Sequence, residues 1–295
     1  MTRIAYFDCF SGASGDMLLG ALLDAGLSFE ALQEDIARLH LGEVKLNCTR
    51  QVRRGIAGRK FDVVDEGHDR PARNLAAVKA VLETSDLPAQ VLAQSLRVFE
   101  RLAEAEAQVH GVTVDDVHFH EVGAVDSLVD IVGFCAGVQR LGLETLYASP
   151  LPAGSGVIHT EHGLLPVPAP ATLALLTSAQ APLMPFDARG ELVTPTGAAL
   201  LTTLATFTQP ALRVQAVGYG FGTKEFPWAN ALRVWIGEEL APPQRAQTHP
   251  PHGHAPHIHP HAHEHAHEHG HEHGHAHGED EAQEHTHEGH HPPHD

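Results

Sequence analysis

The chain has 295 residues, 42% of them hydrophobic, and a formal net charge of −18 at pH 7. Such an acidic balance disfavours nucleic acid as a partner, because that binding rests on Lys and Arg neutralising phosphates. No apolar run approaches the roughly 18 residues of a membrane span, no signal-like segment opens the chain, and Cys9, Cys48 and Cys135 are too scattered for a disulfide framework, so a cytoplasmic protein without membrane contacts is expected.

Arg3–Asp8 is a short apolar run ending in an acid, the pattern of a buried strand. A turn rich in Gly and Ser, residues 11–16, leads into a helix over Met17–Ala25 that Gly26 closes, and Ser28 reads as the N-cap of a second helix to about Leu39. Val44–Arg53 and Lys60–Asp65 alternate about a connection containing glycine, which predicts a hairpin. Helices are predicted over Asn74–Glu83, over Pro88–His110 with Gly111 as terminator, and over Ala124–Leu141. Glu144–Ala148 reads as a strand, Leu151–Pro170 as loop for its Gly and Pro content, Ala171–Thr177 as a helix and Leu183–Phe186 as a strand. A helix over Thr196–Phe207 and strands over Arg213–Gly218 and Ala231–Gly237 close this part. The order implies an α/β fold, a mixed α+β sandwich, over residues 1–240.

From residue 241 the composition changes. Nineteen of the 26 histidines lie between His249 and His294, and apolar residues nearly vanish. Such a stretch cannot bury enough surface to offset its ordering entropy, so 241–295 is expected to be a disordered tail. Every odd position from His257 through His259, His261, His263, His265, His267, His269, His271, His273 and His275 to His277 is histidine. Overlapping imidazole pairs of this kind suit nickel, copper or zinc. An engineered tag would be a short unbroken run.

Two constellations in the body carry chemistry. In the first, Asp8, Ser11, Gly12, Ser14, Gly15 and Asp16 span a strand, a turn and a helix start, where backbone N–H groups and the helix dipole suit a phosphate, and the acids suit a phosphate-bound divalent ion. No lysine follows the glycines, so this is not a Walker loop; a plain tight turn fits as well. In the second, His118, His120, Glu121, Asp126 and Asp130 cluster in sequence. His118 and His120 share a side of an extended segment, and Asp126 and Asp130 share a helix face, a set suited to nickel, zinc or manganese or to proton transfer. His159 and His162 could chelate from a loop. Thr196 reads as a helix cap, and the run Gly218–Lys224 is a weak phosphate signal.

At Phe7–Met17, His118–Gly133, Ser149–Gly156, His162–Thr172, Thr194–Leu200, Gly218–Phe226 and Asn230–Gly237 the chain resembles the LarC family, which inserts nickel to complete a nickel-pincer cofactor. The resemblance implies a pyridinium bisthiocarboxylate mononucleotide as substrate, nickel as the metal inserted, and CTP activation with manganese or magnesium. It implies a lyase-class nickel chelatase, or cyclometallase. Two departures stand out. Where family members carry a histidine-rich insertion this chain has only Gly67–Arg70, and the family's Thr-Asn-(Ile/Leu)-Asp-Asp-Met-like segment does not follow Gly237. The resemblance therefore implies a partner, a separate or recoded C-terminal domain. A nickel chaperone or store without catalysis is the alternative, and a metal-dependent phosphohydrolase built on the aspartates is a third reading.

The tail is expected to hold several nickel ions per chain and to release them as pH falls through the imidazole range near about 6.5. Titration calorimetry of the full chain against residues 1–245 checks this, and equal nickel stoichiometry in the two removes the tail's buffering role.

Overall fold

The computed structural model describes residues 2–42, 44–65, 73–119, 125–160 and 162–241. His120, Glu121, Gly67–Arg70 and the histidine-rich stretch with His257–His277 lie outside them.

Strand β1 (Arg3–Asp8) runs into helix α1 (Gly15–Asp24). Helix α2 (Phe29–Ala37) follows, with Ser28 accepting from the Ala31 N–H at 3.2 Å as its cap. The hairpin of β2 (Val44–Arg53) and β3 (Ile56–Asp65) turns on Arg54 and Gly55, both at positive φ, so β3 begins four residues before the expected Lys60. Helix α3 (Leu75–Glu83) is capped by Asn74, which accepts from the Ala77 N–H at 2.9 Å. Helix α4 (Ala89–His110) ends on left-handed Gly111, and α5 (Val125–Arg140) is followed by β4 (Thr145–Ala148).

The expected loop over 151–170 is instead largely strand. It contains β5 (Leu151–Ser155) and the small hairpin of β6 (Val157–Thr160) and β7 (Gly163–Pro166). Gly and Pro mark its turns and edges, but the apolar residues between them still pair. Helix α6 (Pro170–Ser178), strand β8 (Leu183–Arg189) and helix α7 (Pro195–Leu204) come next. The expected helix to Phe207 stops at Leu204, because Ala205–Phe207 leaves it as β9 to pair in parallel with β4. Strands β10 (Leu212–Phe221) and β11 (Ala231–Glu239) complete the order.

The described residues form a mixed α/β fold with seven helices and a seven-stranded sheet in the order β2-β3-β10-β11-β1-β4-β9. β1 lies centrally, antiparallel to β11 and parallel to β4. Helices α1 and α5 pack on each other and on the sheet, and α4 packs on α5. Helix α5 is apolar nearly all round, and Leu128, Val129, Ile131, Val132, Phe134 and Cys135 are fully buried. Among the described residues no helix is long and apolar enough to cross a membrane.

Helix α1 lies unusually close to the sheet, and glycines permit it. A Cβ on Gly220 would stand 1.9 Å from the Met17 carbonyl, and one on Gly218 would stand 2.2 Å from the Ala21 carbonyl. On the helix side, a Cβ on Gly20 would meet the Arg59 carbonyl at 2.8 Å. The Gly218–Lys224 run, weighed from sequence as a phosphate contact, is thus the place where β10 receives α1. Because the opposing atoms are backbone, Gly220→Ala forces helix and sheet apart and is expected to cost about 3 kcal/mol. Chemical denaturation of the folded protein measures it, and an unchanged midpoint would mean that α1 can shift freely.

Candidate functional site

The start of α1 depends on the turn before it. Gly12 has φ +128 and sits where a Cβ would meet the Leu192 carbonyl at 2.1 Å, and the Ala13 N–H donates to that same carbonyl at 2.9 Å. The Thr194 N–H donates back to the Ala13 carbonyl at 3.0 Å. This exchange sets the first turn of α7 beside the first turn of α1. Thr194, not the expected Thr196, caps α7 by accepting from the Gly197 N–H at 3.2 Å. The first turn of α5 approaches from a third side. Gly15 lies so close to Asp130 that a Cβ there would stand 2.2 Å from its Oδ2.

Between these three helix starts and β3 lies a cleft of about 340 Å³, lined by Ser14, Gly15 and Asp16, by Lys60–Val63, by Asp126, Ser127 and Asp130, and by Glu191, Pro195 and Thr223 among others. Lys60 is its central cation. Its Nζ donates to Asp16 Oδ2 at 2.8 Å, to Asp62 Oδ1 at 2.7 Å and to the Phe61 carbonyl at 2.7 Å, and its side chain is 6% exposed. Burial alone would lower its pKa, but the Asp16 and Asp62 carboxylates outweigh burial and hold it above the usual lysine value. The other oxygen of Asp16 accepts from the Ser14 hydroxyl and from the Met17 N–H, so its side chain is fixed on both sides.

Asp130 differs from the other acids. It lines the cleft, yet its Oδ1 is shut off from solvent and has no hydrogen-bond partner among the described residues. Desolvation first, then the Asp16 and Asp126 charges, push its pKa well above the ordinary aspartate value, while Lys60 pulls the other way. The cleft thus carries Asp16, Asp62, Asp126, Asp130 and Glu191 against Lys60, and Lys224 reaches Glu191, its Nζ 3.3 Å from the carbonyl and 3.7 Å from the carboxylate. Oxygen donors in such excess suit a hard divalent cation. Among the described residues no three His, Cys, Asp or Glu side chains already stand as a metal-ligand set.

The comparisons give this arrangement its context. The family described as nickel insertion protein matches residues 5–279. The chain belongs to that family. A relative from Roseiflexus castenholzii, named "Putative nickel insertion protein", is 55% identical over 239 residues, which cover 81% of this chain and 60% of that protein. A relative from Thermomicrobium roseum with the same name is 55% identical over 244 residues, 82% of this chain and 60% of its own. One from Desulfitobacterium hafniense, named pyridinium-3,5-bisthiocarboxylic acid mononucleotide nickel insertion protein, is 50% identical over 239 residues, 80% of this chain and 58% of its own. The chain spans about 60% of the length of the curated relatives it matches. No solved structure matches it.

For this nickel insertion family member, the residues singled out from sequence separate into groups. Ser14, Gly15, Asp16 and Asp126 line the cleft. Asp8 does not; its carboxylate accepts from Arg233 at 2.6 and 3.1 Å across β1 and β11. Ser11 is buried, accepting from Trp228 Nε1 at 2.7 Å and facing Asn230, and Gly12 serves the turn geometry. His118 is exposed, next to Phe119, which is 1% exposed and anchors the segment through its N–H to the Arg73 carbonyl. His159 and His162 lie on the β6–β7 hairpin away from the cleft walls. Cys9 and Cys135 are buried free thiols; burial pushes the Cys135 thiol up to about 12 and Cys9 higher still, so neither is a ready soft ligand. Sequence reasoning missed Lys60, Asp62 and Glu191. Lys60 was legible only as an inward-facing charge in an alternating strand.

Asp130 makes the fold's stability depend on pH in a definite direction. Its raised pKa means that the folded chain holds a proton the unfolded chain has lost, at every pH above the ordinary aspartate value near about 4 and below the raised value. Stability therefore falls as pH rises through that window. Asp130→Asn removes this penalty, so without divalent cations its thermal midpoint should exceed that of the parent at pH 7.5 and converge on it toward pH 4. A gap that does not vary with pH would show Asp130 to be ionised in the fold.

Proposed function

We propose that the chain acts in nickel insertion into pyridinium-3,5-bisthiocarboxylic acid mononucleotide, the compound in the name of the Desulfitobacterium relative, and that the cleft receives the phosphate end of that substrate. The observation that carries the reading is the convergence of the α1, α5 and α7 starts on one acid-rich cleft around Lys60. Helix starts offer N–H groups and positive dipole ends to a phosphate. The carboxylates decide how it enters: acids outnumber the cleft's one lysine even with Asp130 holding its proton, so a bare phosphate dianion is repelled. It enters paired with a divalent cation.

Manganese or magnesium fits the donors here. Asp16, Asp126 and Asp130 would hold it, and the partnerless Oδ1 of Asp130 is the oxygen that a cation would satisfy. When bound, the cation neutralises phosphate charge. Lys60 holds Asp16 in place and sets the charge of the cleft wall. Ser14 and Thr223 add hydroxyls, the Thr223 hydroxyl reaching Asp16 Oδ2 at 3.4 Å. Nickel, a softer ion, prefers imidazole, and in this reading His118, His120 and Glu121 on the segment before α5 hold or hand on nickel and take up the proton that leaves the pyridinium ring. CTP enters through a domain supplied by the portion of the curated relatives' length that this chain does not span.

The test incubates the chain with the thiolated mononucleotide, nickel, CTP and manganese, with and without such a domain, and measures nickel-bound product per folded protein, folding being checked by circular dichroism. Lys60→Met and His120→Ala should each lower product by about 10–100-fold, the scale of losing a supporting or ligating group, while His40→Ala on the far α2 end changes nothing. Unimpaired transfer by both folded variants overturns the site. Nickel binding with no product in any combination favours the storage reading, and phosphate release from nucleotides without nickel favours a hydrolase.

A further inference from the structure

The acidic cleft has a neighbour of opposite charge. The β2–β3 turn and the connection between β10 and β11 enclose a cavity of about 310 Å³, lined by Arg53, Arg54 and Lys224 against one acid, Glu225. In a chain of net charge −18 with 19 Lys and Arg, three cations on one small cavity are a local reversal of sign. Thr223 lines the cleft and Lys224, the next residue, lines this cavity, so the two adjoin there.

The wall is braced. Arg53 Nη1 donates to the Gly222 carbonyl at 2.6 Å, its Nε donates to Gln51 Oε1 at 3.1 Å, and its guanidinium carbon stands 5.1 Å from the Phe221 ring centre. These contacts fix the group and leave further N–H donors on it. Arg54 is exposed and has no hydrogen-bond or ion-pair partner among the described residues. It sits at φ +50 in a two-residue turn with Gly55 at φ +81. Such turns ordinarily take Asn, Asp or Gly at that position, so the turn itself gives no reason for an arginine. The Lys224 side chain is 50% exposed and 3.7 Å from the Glu191 carboxylate, a loose pairing. The rest of the wall is aromatic. Phe226 stacks on Trp228 with ring centres 4.8 Å apart and planes 1° apart. Trp228 Nε1 donates to buried Ser11 at 2.7 Å, and the Asn230 side chain donates to the Lys224 carbonyl at 2.8 Å, which ties the connection down. Trp228 covers one face of Phe226, whose half-buried ring lines the cavity.

We propose that this cavity binds a nucleoside phosphate, with the phosphate held by Arg53, Arg54 and Lys224 and the ring stacked on Phe226. Guanidinium forks match phosphate oxygens, and the ammonium adds charge. An aromatic face accepts any base and adds to the electrostatic attraction. Taken singly, each feature has a plainer reading, since exposed cations are solvated and Phe226 packs on Trp228. Cations and ring on one small, braced cavity select a ligand that carries both an anion and a flat ring. The volume is at the lower end for small-molecule sites and suits one nucleotide, and the chain's net charge disfavours a strand. The cleft accepts phosphate with a divalent cation, whereas this wall accepts it bare. Two sources supply the chemistry, a nucleoside triphosphate or a pyridinium mononucleotide of the kind named for the Desulfitobacterium relative. The proposal does not depend on what the cleft binds.

The test uses the full chain in EDTA at about pH 8, where histidines are neutral and the cleft holds no cation. 5-Iodouridine triphosphate is titrated by calorimetry and then photo-crosslinked, because iodouracil joins to a ring stacked on it. Saturable binding and a crosslinked peptide containing Phe226 or Trp228 are expected. Arg54→Asn, which suits the turn, should weaken binding about tenfold, the scale of one charge-assisted contact. Phe226→Leu should remove the crosslink and weaken binding about tenfold, the scale of one stacked base. Arg213→Gln, an equal loss of charge at an exposed ion pair on β10, should change neither. Tripolyphosphate should displace the probe about tenfold less well than UTP. Stronger displacement by nicotinic acid mononucleotide than by UTP assigns the site to a pyridinium mononucleotide, and the reverse assigns it to a nucleoside triphosphate. Lack of saturable binding overturns the site. So do an affinity unchanged in both Arg54→Asn and Phe226→Leu, crosslinks confined to other peptides, or equal displacement by tripolyphosphate.

Discussion

The close approach of α1 to β10 is the contact on which the rest of the molecule depends. Gly218 and Gly220 on the strand and Gly20 on the helix leave no side chain between the two backbones. An ordinary helix–sheet spacing would leave room for side chains and would carry the start of α1 away from β3. Here it is brought so near that Asp16 reaches Lys60 at 2.8 Å. Gly12, Gly15 and Gly197 repeat the device at the other two contacts, against the Leu192 carbonyl, the Asp130 carboxyl and the Ala13 carbonyl. Three helix starts thus meet in one place because glycine occupies each point of contact.

That meeting concentrates charge of one sign. Helix starts are partially positive and attract acids, and Asp16 and Asp126 occupy first-turn positions where acids are ordinarily favourable. Brought together, they repel each other, and burial first and then their charges raise the proton affinity of Asp130. Lys60 offsets part of this, held by Asp16 and Asp62 with little exposure to water. Charge left over in a fixed frame is a store of binding energy for a cation.

Elements with local signals could be read from sequence closely. Ser28 and Asn74 cap the helices they precede, Gly111 ends α4, and β1 occupies Arg3–Asp8. Each signal is contained within a few residues, because a cap or terminator acts on the backbone beside it. The misread segments are those whose structure depends on a distant partner. Ala205–Phe207 leaves its helix because β4 offers an edge, and the Gly- and Pro-rich stretch after Leu151 pairs with β8 and with itself. Asp8, placed by its neighbours in a phosphate turn, is taken by Arg233, 225 residues away.

The sequence by itself determined the class of fold, the blocks that place the chain in the nickel insertion family, the acidic character and the concentration of histidine after residue 241, because these follow from composition, periodicity and nearest neighbours. Only the tertiary structure decided that Lys60 is the cation of the cleft, that Asp130 keeps an oxygen without a partner, and that the glycines of β10 admit a helix and not a phosphate. The reason is that burial, charge and coordination depend on which groups share a space. A one-dimensional pattern states what each residue can do, while the register of a sheet and the approach of a helix choose the partner with which it does it.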